Sequence, residues 1–514
     1  MKPITLNKFN GGMTNDPRDP LTTVARLTQH LDNVTRPHAI AAYPDNDATV
    51  ADRGATTFDD VRIQQFLFAN YLATPILFGL GVETGTTKPK IFTKANISDG
   101  TPWLAANNGS HASSTSAITA QNKPFIIYQS YIYGLDGSGW WKYGDITDLS
   151  TATWTRTVYT GAYLNVCPPI VHSKDDIMYS AAGAGTLVAN KIVRNNAGSW
   201  DVALTFSTYT YIPSICEHYD YLAIGANLPN GNCSAYLWDR DSSLGTISQK
   251  IDWGSGQLKW VASNDGILIG CSIQQPSGFA INPEVVFKYY NGTSAIEFAR
   301  FTTTAATVYP STQKHNNITY FLAEMTIDSV ALRGIWKVVH NPSGGFSVSF
   351  DRQPRLDDTI TAGKLYGFLR TGDYFHIACA DAQDSDKYIV TKTGNTFATT
   401  ARWRTTINEG MPPEDRTALK QLKAISVSYE PLGTNAGCVI KYRIDGGAYN
   451  VPNDGNFTTI KNELTDNIVT TVITGDSAGL QLAQGREFEF DFLPSGGARI
   501  TERKYAYEVI KSGI

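Results

Sequence analysis

Between about Ile63 and Arg404 the chain repeats itself seven times, and this recurrence narrows the possible folds more than any other property of the sequence. One unit reads Cys167-Pro168-Pro169-Ile170-Val171-His172-Ser173-Lys174-Asp175-Asp176-Ile177-Met178-Tyr179, and the next opens Ile212-Pro213-Ser214-Ile215-Cys216-Glu217-His218-Tyr219-Asp220-Tyr221-Leu222. In each, a short apolar strand meets a tight polar turn ending in Asp or Asn, and a second apolar strand follows at once. Aligned on the last turn residue, the units fall at Tyr131, Asp176, Asp220, Asp265, Asn317 and Asp373, in steps of roughly 45, 44, 45, 52 and 56 residues, the period of propeller blades. A degenerate seventh copy lies upstream at Phe66 to Leu80.

Each hairpin is followed by a third strand, such as Trp140-Trp141-Lys142-Tyr143, Ala235-Tyr236-Leu237-Trp238 or Ile335-Trp336-Lys337-Val338. A more openly alternating fourth follows, as in Trp200-Asp201-Val202-Ala203-Leu204 and Phe346-Ser347-Val348-Ser349-Phe350. Apolar inner strands with amphipathic outer ones are what a four-stranded blade requires, because inner strands are packed on both faces while the outer edge meets water. The expected architecture is all-β: an extended N-terminal arm over residues 1–60, a propeller of about seven blades over 61–408, and a C-terminal β-sandwich or jelly-roll-like domain over 409–514. The run His38 to Tyr43 is a candidate strand for closing the ring, and Asp415 to Lys423 is the best short helix candidate. After the break at Gly410-Met411-Pro412-Pro413 the strands lengthen, and Glu487-Phe488-Glu489-Phe490-Asp491-Phe492 places three Phe on one face and three carboxylates on the other.

Bulk properties exclude several classes. A formal charge of -4 and the lack of a Lys/Arg cluster argue against tracking a phosphate backbone as the main activity. No segment approaches the roughly 20 apolar residues that span a bilayer, so no membrane anchor is expected, and Met1-Lys2-Pro3-Ile4 is not followed by a secretory apolar region. Cys167, Cys216, Cys233, Cys271, Cys379 and Cys438 contain no Cys-x-x-Cys pair and are expected as free thiols. The sequons at Asn33, Asn96, Asn108 and Asn291 carry no weight in a chain so rich in Asn, Ser and Thr.

No residue is assigned a catalytic, cofactor-binding or metal-binding role. Asp176, Asp220, Asp265 and Asp373 recur with the blades, and turn chemistry repeats with a blade whereas a catalytic set breaks the repeat. Asp381-Ala382-Gln383-Asp384-Ser385-Asp386 lacks the spacing, the Gly and the closing Glu of a calcium loop. The eight His include no His-Glu-x-x-His, and His172, His218, His315 and His376 near the hairpins read as structural. Trp140, Trp141, Trp238 and Trp336 fall on third strands, where they pack blades rather than stack on sugars. Neither a Gly-x-Ser-x-Gly elbow nor a P-loop is present.

The opening Phe9-Asn10-Gly11-Gly12 with Asp16-Pro17-Arg18-Asp19-Pro20, the repeating middle, and the ending Ile425-Ser426-Val427-Ser428-Tyr429-Glu430-Pro431-Leu432 with Tyr505-Ala506-Tyr507-Glu508-Val509 together resemble tailed-bacteriophage virion proteins. The nearest family is the propeller-bearing tail nozzle, or tail tubular protein B. The resemblance implies a non-enzymatic structural component of the virion tail, made in the host cytoplasm, that forms a six-fold homo-oligomeric ring. Such a ring surrounds the DNA exit channel, touches genomic DNA in transit, and binds adaptor, fibre or tube proteins. Two other classes stay open: a carbohydrate-active propeller enzyme of depolymerase or sialidase-like type, and a non-catalytic receptor-binding hub. The recurring Ser-x-Asp-x-Gly-x-x-Trp box of sialidases is not found.

Overall fold

The computed structural model describes residues 2–6, 13, 25, 27–29, 40–41, 61–71, 74–83, 89–94, 104–105, 125–135, 140–146, 155–156, 167–183, 189–241, 247–275, 282–327, 329–341, 345–353, 364–372, 374–380, 386–392, 401–430, 436–447, 456–457, 469–474, 483–495 and 497–510. Seven consecutive antiparallel sheets follow one another along the chain, six of them four-stranded and the last three-stranded among the described residues. Each sheet is a blade whose strands pair in sequence order, so every blade is one meander. The inner strands of blades 1 to 7 are Val61–Tyr71, Phe125–Tyr128, Ile170–His172, Tyr211–His218, Gln257–Asn264, Ala306–His315 and Lys364–Thr371. Every hairpin placed from the sequence is present, including the degenerate copy, which forms Val61–Tyr71 and Thr74–Glu83.

The turns follow from local chemistry. Asp176 and Asp265 adopt φ of 51° and 48°, and Tyr219, just before Asp220, adopts 52°. Asp and Asn tolerate this left-handed region because their short side chains bond nearby backbone groups, as Asp175 Oδ1 does by accepting from Ile177 N at 3.1 Å. Between blades the packing is apolar and aromatic: Trp260 of blade 5 lies 5.2 Å from Phe321 of blade 6, and Phe301 of blade 5 lies 6.2 Å from Trp336 of blade 6. Full burial of each such side chain contributes about 1.5–3 kcal/mol.

The ring closes without a borrowed strand among the described residues. Blade 7 lies directly against the inner strand of blade 1, where the Phe66 and His376 rings are 6.1 Å apart. The run His38 to Tyr43, expected as the closing strand, serves the other domain: Ile40–Ala41 pairs with Ile500 and Arg499. Its flanking residues lie outside the described set.

The remaining strands form a two-sheet sandwich. One sheet orders Lys2–Leu6, Arg499–Val509, Lys420–Tyr429 and Val469–Thr474. The other orders Leu27–Gln29, Arg402–Arg404, Phe488–Ser495, Gly437–Ile444 and Asn456–Phe457. Phe488, Phe490 and Phe492 face the core with Trp403, Tyr505 and Tyr507, and Phe490 stacks on Tyr505 at 4.1 Å between centroids. Three details differ from the sequence reading. Arg402–Arg404, placed inside the 61–408 ring, pairs with the sandwich strand at Phe492 and Asp491. The helix expected over Asp415 to Lys423 is a 3-10 turn at Pro413–Asp415 followed by strand, because a strand partner at Val509 claims Lys420. The carboxylates of Glu489 and Asp491 are buried as well, Glu489 with Arg443, and Asp491 with Arg402 at 3.3 Å and Arg404 at 3.4 Å.

The N-terminal arm stitches the two bodies together. Met13 sits in the core shared by blades 5 and 6, its amide donating to Val348 O at 2.8 Å, and forms a bridge with Ala25, which belongs to the sandwich core.

Candidate functional site

The seven inner strands surround an axial cavity of about 440 Å³. Every blade contributes: Gln65 and Leu67, Ile126, Ile170 and Val171, residues 214–217, Ala262 and Ser263, residues 310–314, and residues 366–368. Each inner strand is the terminal strand of its sheet, so one backbone edge faces the axis rather than another strand. An unpaired edge presents N–H and C=O groups that must find partners. Neighbouring blades supply some of them. Gln313 in blade 6 donates to Phe368 O at 3.0 Å and accepts from Arg370 N at 2.8 Å in blade 7. Ser214 in blade 4 accepts from Val261 N of blade 5 at 3.2 Å.

Two ends of the channel differ in construction. Where the chain enters the inner strands, five of the seven break register: between Ile63 and Gln65, Tyr211 and Ser214, Leu258 and Trp260, Val308 and Thr312, and Leu365 and Gly367. Such bulges bend a strand, re-aim its side chains, and are over-represented beside binding sites. The blade 6 bulge is the widest, pushing residues 309–311 out of the ladder so that Pro310 and Ser311 reach the channel.

The opposite end carries the tight turns and a network joining blades 2 to 6, each to the next. Tyr128 OH donates to Asp176 O at 2.9 Å, and His172 Nε2 lies 3.3 Å from Tyr221 O. The His218 ring nitrogen lies 3.0 Å from the Ser263 hydroxyl, and Asn264 donates to Asn317 O at 3.1 Å. Ion pairs run around the same rim: Lys174 with Asp220 at 2.8 Å, Arg240 with Asp175 at 3.0 Å, and Lys314 with Asp265 at 3.7 Å. The Lys174 ammonium holds the Asp220 carboxyl below its ordinary value, while burial pushes the His218 imidazole down, favouring its neutral form. In the channel itself, Glu217 accepts from the Ser173 amide at 3.1 Å and from the Ser173 hydroxyl.

The structure places the residues singled out from the sequence mostly around this channel rather than in it. Asp176, Asp220 and Asp265 occupy the turn rim, and Asp373 lies outside the described residues, as do residues 381–385 of the Asp381 to Asp386 loop. His172 and His376 are buried, the latter bonded to the Thr371 hydroxyl at 2.8 Å. Trp140, Trp141, Trp238 and Trp336 are buried, and Trp140, Trp238 and Trp336 belong to clusters shared by neighbouring blades. All six cysteines are free, and Cys216 alone is half-buried rather than buried, on the channel wall. Among the described residues, no three His, Cys, Asp or Glu side chains gather to hold a metal, and no helix is long and apolar enough to cross a membrane. Sequence reasoning missed Glu217, Ser263 and Lys314. Their shared signal is position, since each stands one residue before the end of its inner strand.

No protein-family model and no curated protein matches the chain. Among solved structures it is similar to an exo-beta-1,3-galactanase from Phanerochaete chrysosporium with galactose, at 10% identity over 77% of this chain and 99% of that one, with a TM-score of 0.29. A Trypanosoma rangeli sialidase in complex with sialic acid overlaps at 10% identity over 91% and 95%, with a TM-score of 0.34. The mitotic checkpoint complex overlaps at 11% identity over 67% and 90%, with a TM-score of 0.39. These overlaps are loose, and the ring is established by its own strand pairing. The expectation of a non-enzyme is corrected at this point, because two of these similar chains are named as enzymes. The expectation rested on the lack of short catalytic motifs, whereas a propeller assembles its axial site from separate strands that share no local motif.

Proposed function

We propose that the chain is a component of a tailed-phage virion, resembling the propeller-bearing tail nozzle, in which the ring and sandwich act as one body within a homo-oligomeric ring that contacts other tail proteins. The observation that supports this reading most is the arm. The segment whose motifs carry the resemblance spans the two domains, with Met13 in the blade 5 and 6 core and Leu27–Gln29 paired to Arg402–Arg404. Contacts of this kind tie the two domains together, as a part mounted in a particle requires. Closed cyclic assembly follows when a heterologous contact between neighbours returns on itself. Cryo-EM class averages of the purified chain and of particles from its host are the test. Rings in both support the proposal, and a chain that stays monomeric at high concentration and is absent from particles overturns it.

A second reading, favoured by the axial channel, is a carbohydrate-active propeller. Its support is a channel within the size range of small-molecule sites, bearing a carboxylate fixed by Ser173, in a chain similar to a galactanase and a sialidase. Incubation with host capsule and surface glycans tests it: release of sugar that Glu217→Gln abolishes supports this reading, and intact glycans overturn it.

A further inference from the structure

The axial channel has a free donor that the blade contacts do not use. Thr319, on the second strand of blade 6, lines the channel, is 1% exposed, and its hydroxyl has no hydrogen-bond partner among the described residues. A buried hydroxyl without a partner costs about 1–3 kcal/mol, so the site favours an occupant that can bond it. The two charged groups on the same wall are already engaged. Lys314 pairs with Asp265 at 3.7 Å, and the Ser173 amide donates to Glu217 at 3.1 Å. They are also of opposite sign, so the described lining carries no net charge to favour an anion or a cation.

What remains for a ligand is neutral. Strand edges and the Thr319 hydroxyl supply hydrogen bonds, while Leu67, Ile126, Val171 and Phe368 supply apolar wall. A pyranose ring matches this mixture, since its hydroxyls radiate in the ring plane and its C–H faces are apolar. At the bulged end of the channel, Pro310 and Ser311 of blade 6 leave the ladder and line the cavity.

We infer that the axial channel binds the end of an uncharged oligosaccharide, entering from the bulged face and hydrogen-bonding to Thr319. The inference rests on the carbohydrate reading above and narrows its ligand to neutral sugars. It is independent of whether a glycosidic bond is cleaved.

The test uses the full chain titrated calorimetrically with maltotriose and N,N′,N″-triacetylchitotriose as neutral probes and with trigalacturonic acid and 3′-sialyllactose as anionic ones. Each probe is taken to about tenfold above a millimolar Kd. A parallel assay follows alkylation of Cys216 by iodoacetamide at alkaline pH, because burial pushes this thiol up to about 12, and Cys216 lines the channel while the other five are buried. The expected result is binding of at least one neutral trisaccharide, several-fold slower alkylation of Cys216 in its presence, and no effect of the anionic probes. Thr319→Val, nearly the same shape without the hydroxyl, is expected to weaken that binding about tenfold. Absence of neutral binding, preference for an anionic probe, or unchanged Cys216 alkylation in the bound protein overturns the inference. Binding without release of sugar sustains it while removing the hydrolytic part of the carbohydrate reading, and leaves the virion proposal untouched.

Discussion

Arg503 and Glu409 meet in the middle of the terminal sandwich, 0% and 1% exposed at their side chains, with the guanidinium 5.3 Å from the Trp403 ring centre. Removing one member of such a pair strands the other charge. Arg503→Met should therefore destabilise the sandwich by about 3–5 kcal/mol in chemical denaturation. Burial pushes the Glu409 carboxyl up to about 7, with Arg503 pulling it back down. Because this folded value lies above the ordinary 4.5, the folded chain holds the proton more tightly than the unfolded chain does. The resulting stabilisation is full below about pH 4.5 and is lost as pH rises through about 7, an effect on the order of 3 kcal/mol. A sandwich melting transition higher at pH 5 than at pH 8, with the difference shrinking in Glu409→Gln, is the expected outcome of calorimetry. Neither residue is conspicuous in the sequence, because a buried Glu is written with the same letter as a solvated one. The alternation of Phe488, Phe490 and Phe492 was legible, but the burial of Glu489 and Asp491 on the other face was not, since the covering Arg443, Arg402 and Arg404 come from two other strands.

Strands and turns were the most legible level, and the reason is local. A hairpin signal is contained in about a dozen residues, so Asp176 and Asp265 mark their turns regardless of what packs around them. Links between blades are subtler. Gly256 alone joins the outer strand of blade 4, Gln249–Ser255, to the inner strand of blade 5, Gln257–Asn264. Its φ is 108°, and a Cβ there would stand 2.6 Å from Ile273 O. Gly256→Ala should cost about 1–3 kcal/mol, read as a lowered thermal midpoint of the ring. The register breaks that shape the channel mouth have no comparable marker. A bulge is defined by the partner strand, so the widening between Val308 and Thr312 is visible only against Phe321 and Ala323.

At the scale of the molecule, the arm is where sequence and structure part most. Residues 1–60 read as an extended arm outside both domains, yet Lys2–Leu6 completes one sandwich sheet and Leu27–Gln29 completes the other. Pairing between Ile4 and Tyr505 spans nearly the whole chain, and no window of sequence can display it. Deleting residues 1–29 should remove an edge strand from both sheets and uncover the face beneath Ile4 and Leu6. The expected outcome is rapid proteolysis of the sandwich with the blades left resistant, followed by gel and mass spectrometry. Persistence of an intact sandwich would show that the arm decorates the domain without completing it.

The antiparallel pairing of Lys2–Leu6 with residues 503–507 also dictates a timetable. On the ribosome, Lys2–Leu6 must wait for residues 503–507, so the blades between them can form first, and this sandwich sheet stays open until that partner strand has been made. Any subunit contact that depends on the finished sandwich is thereby withheld from unfinished chains.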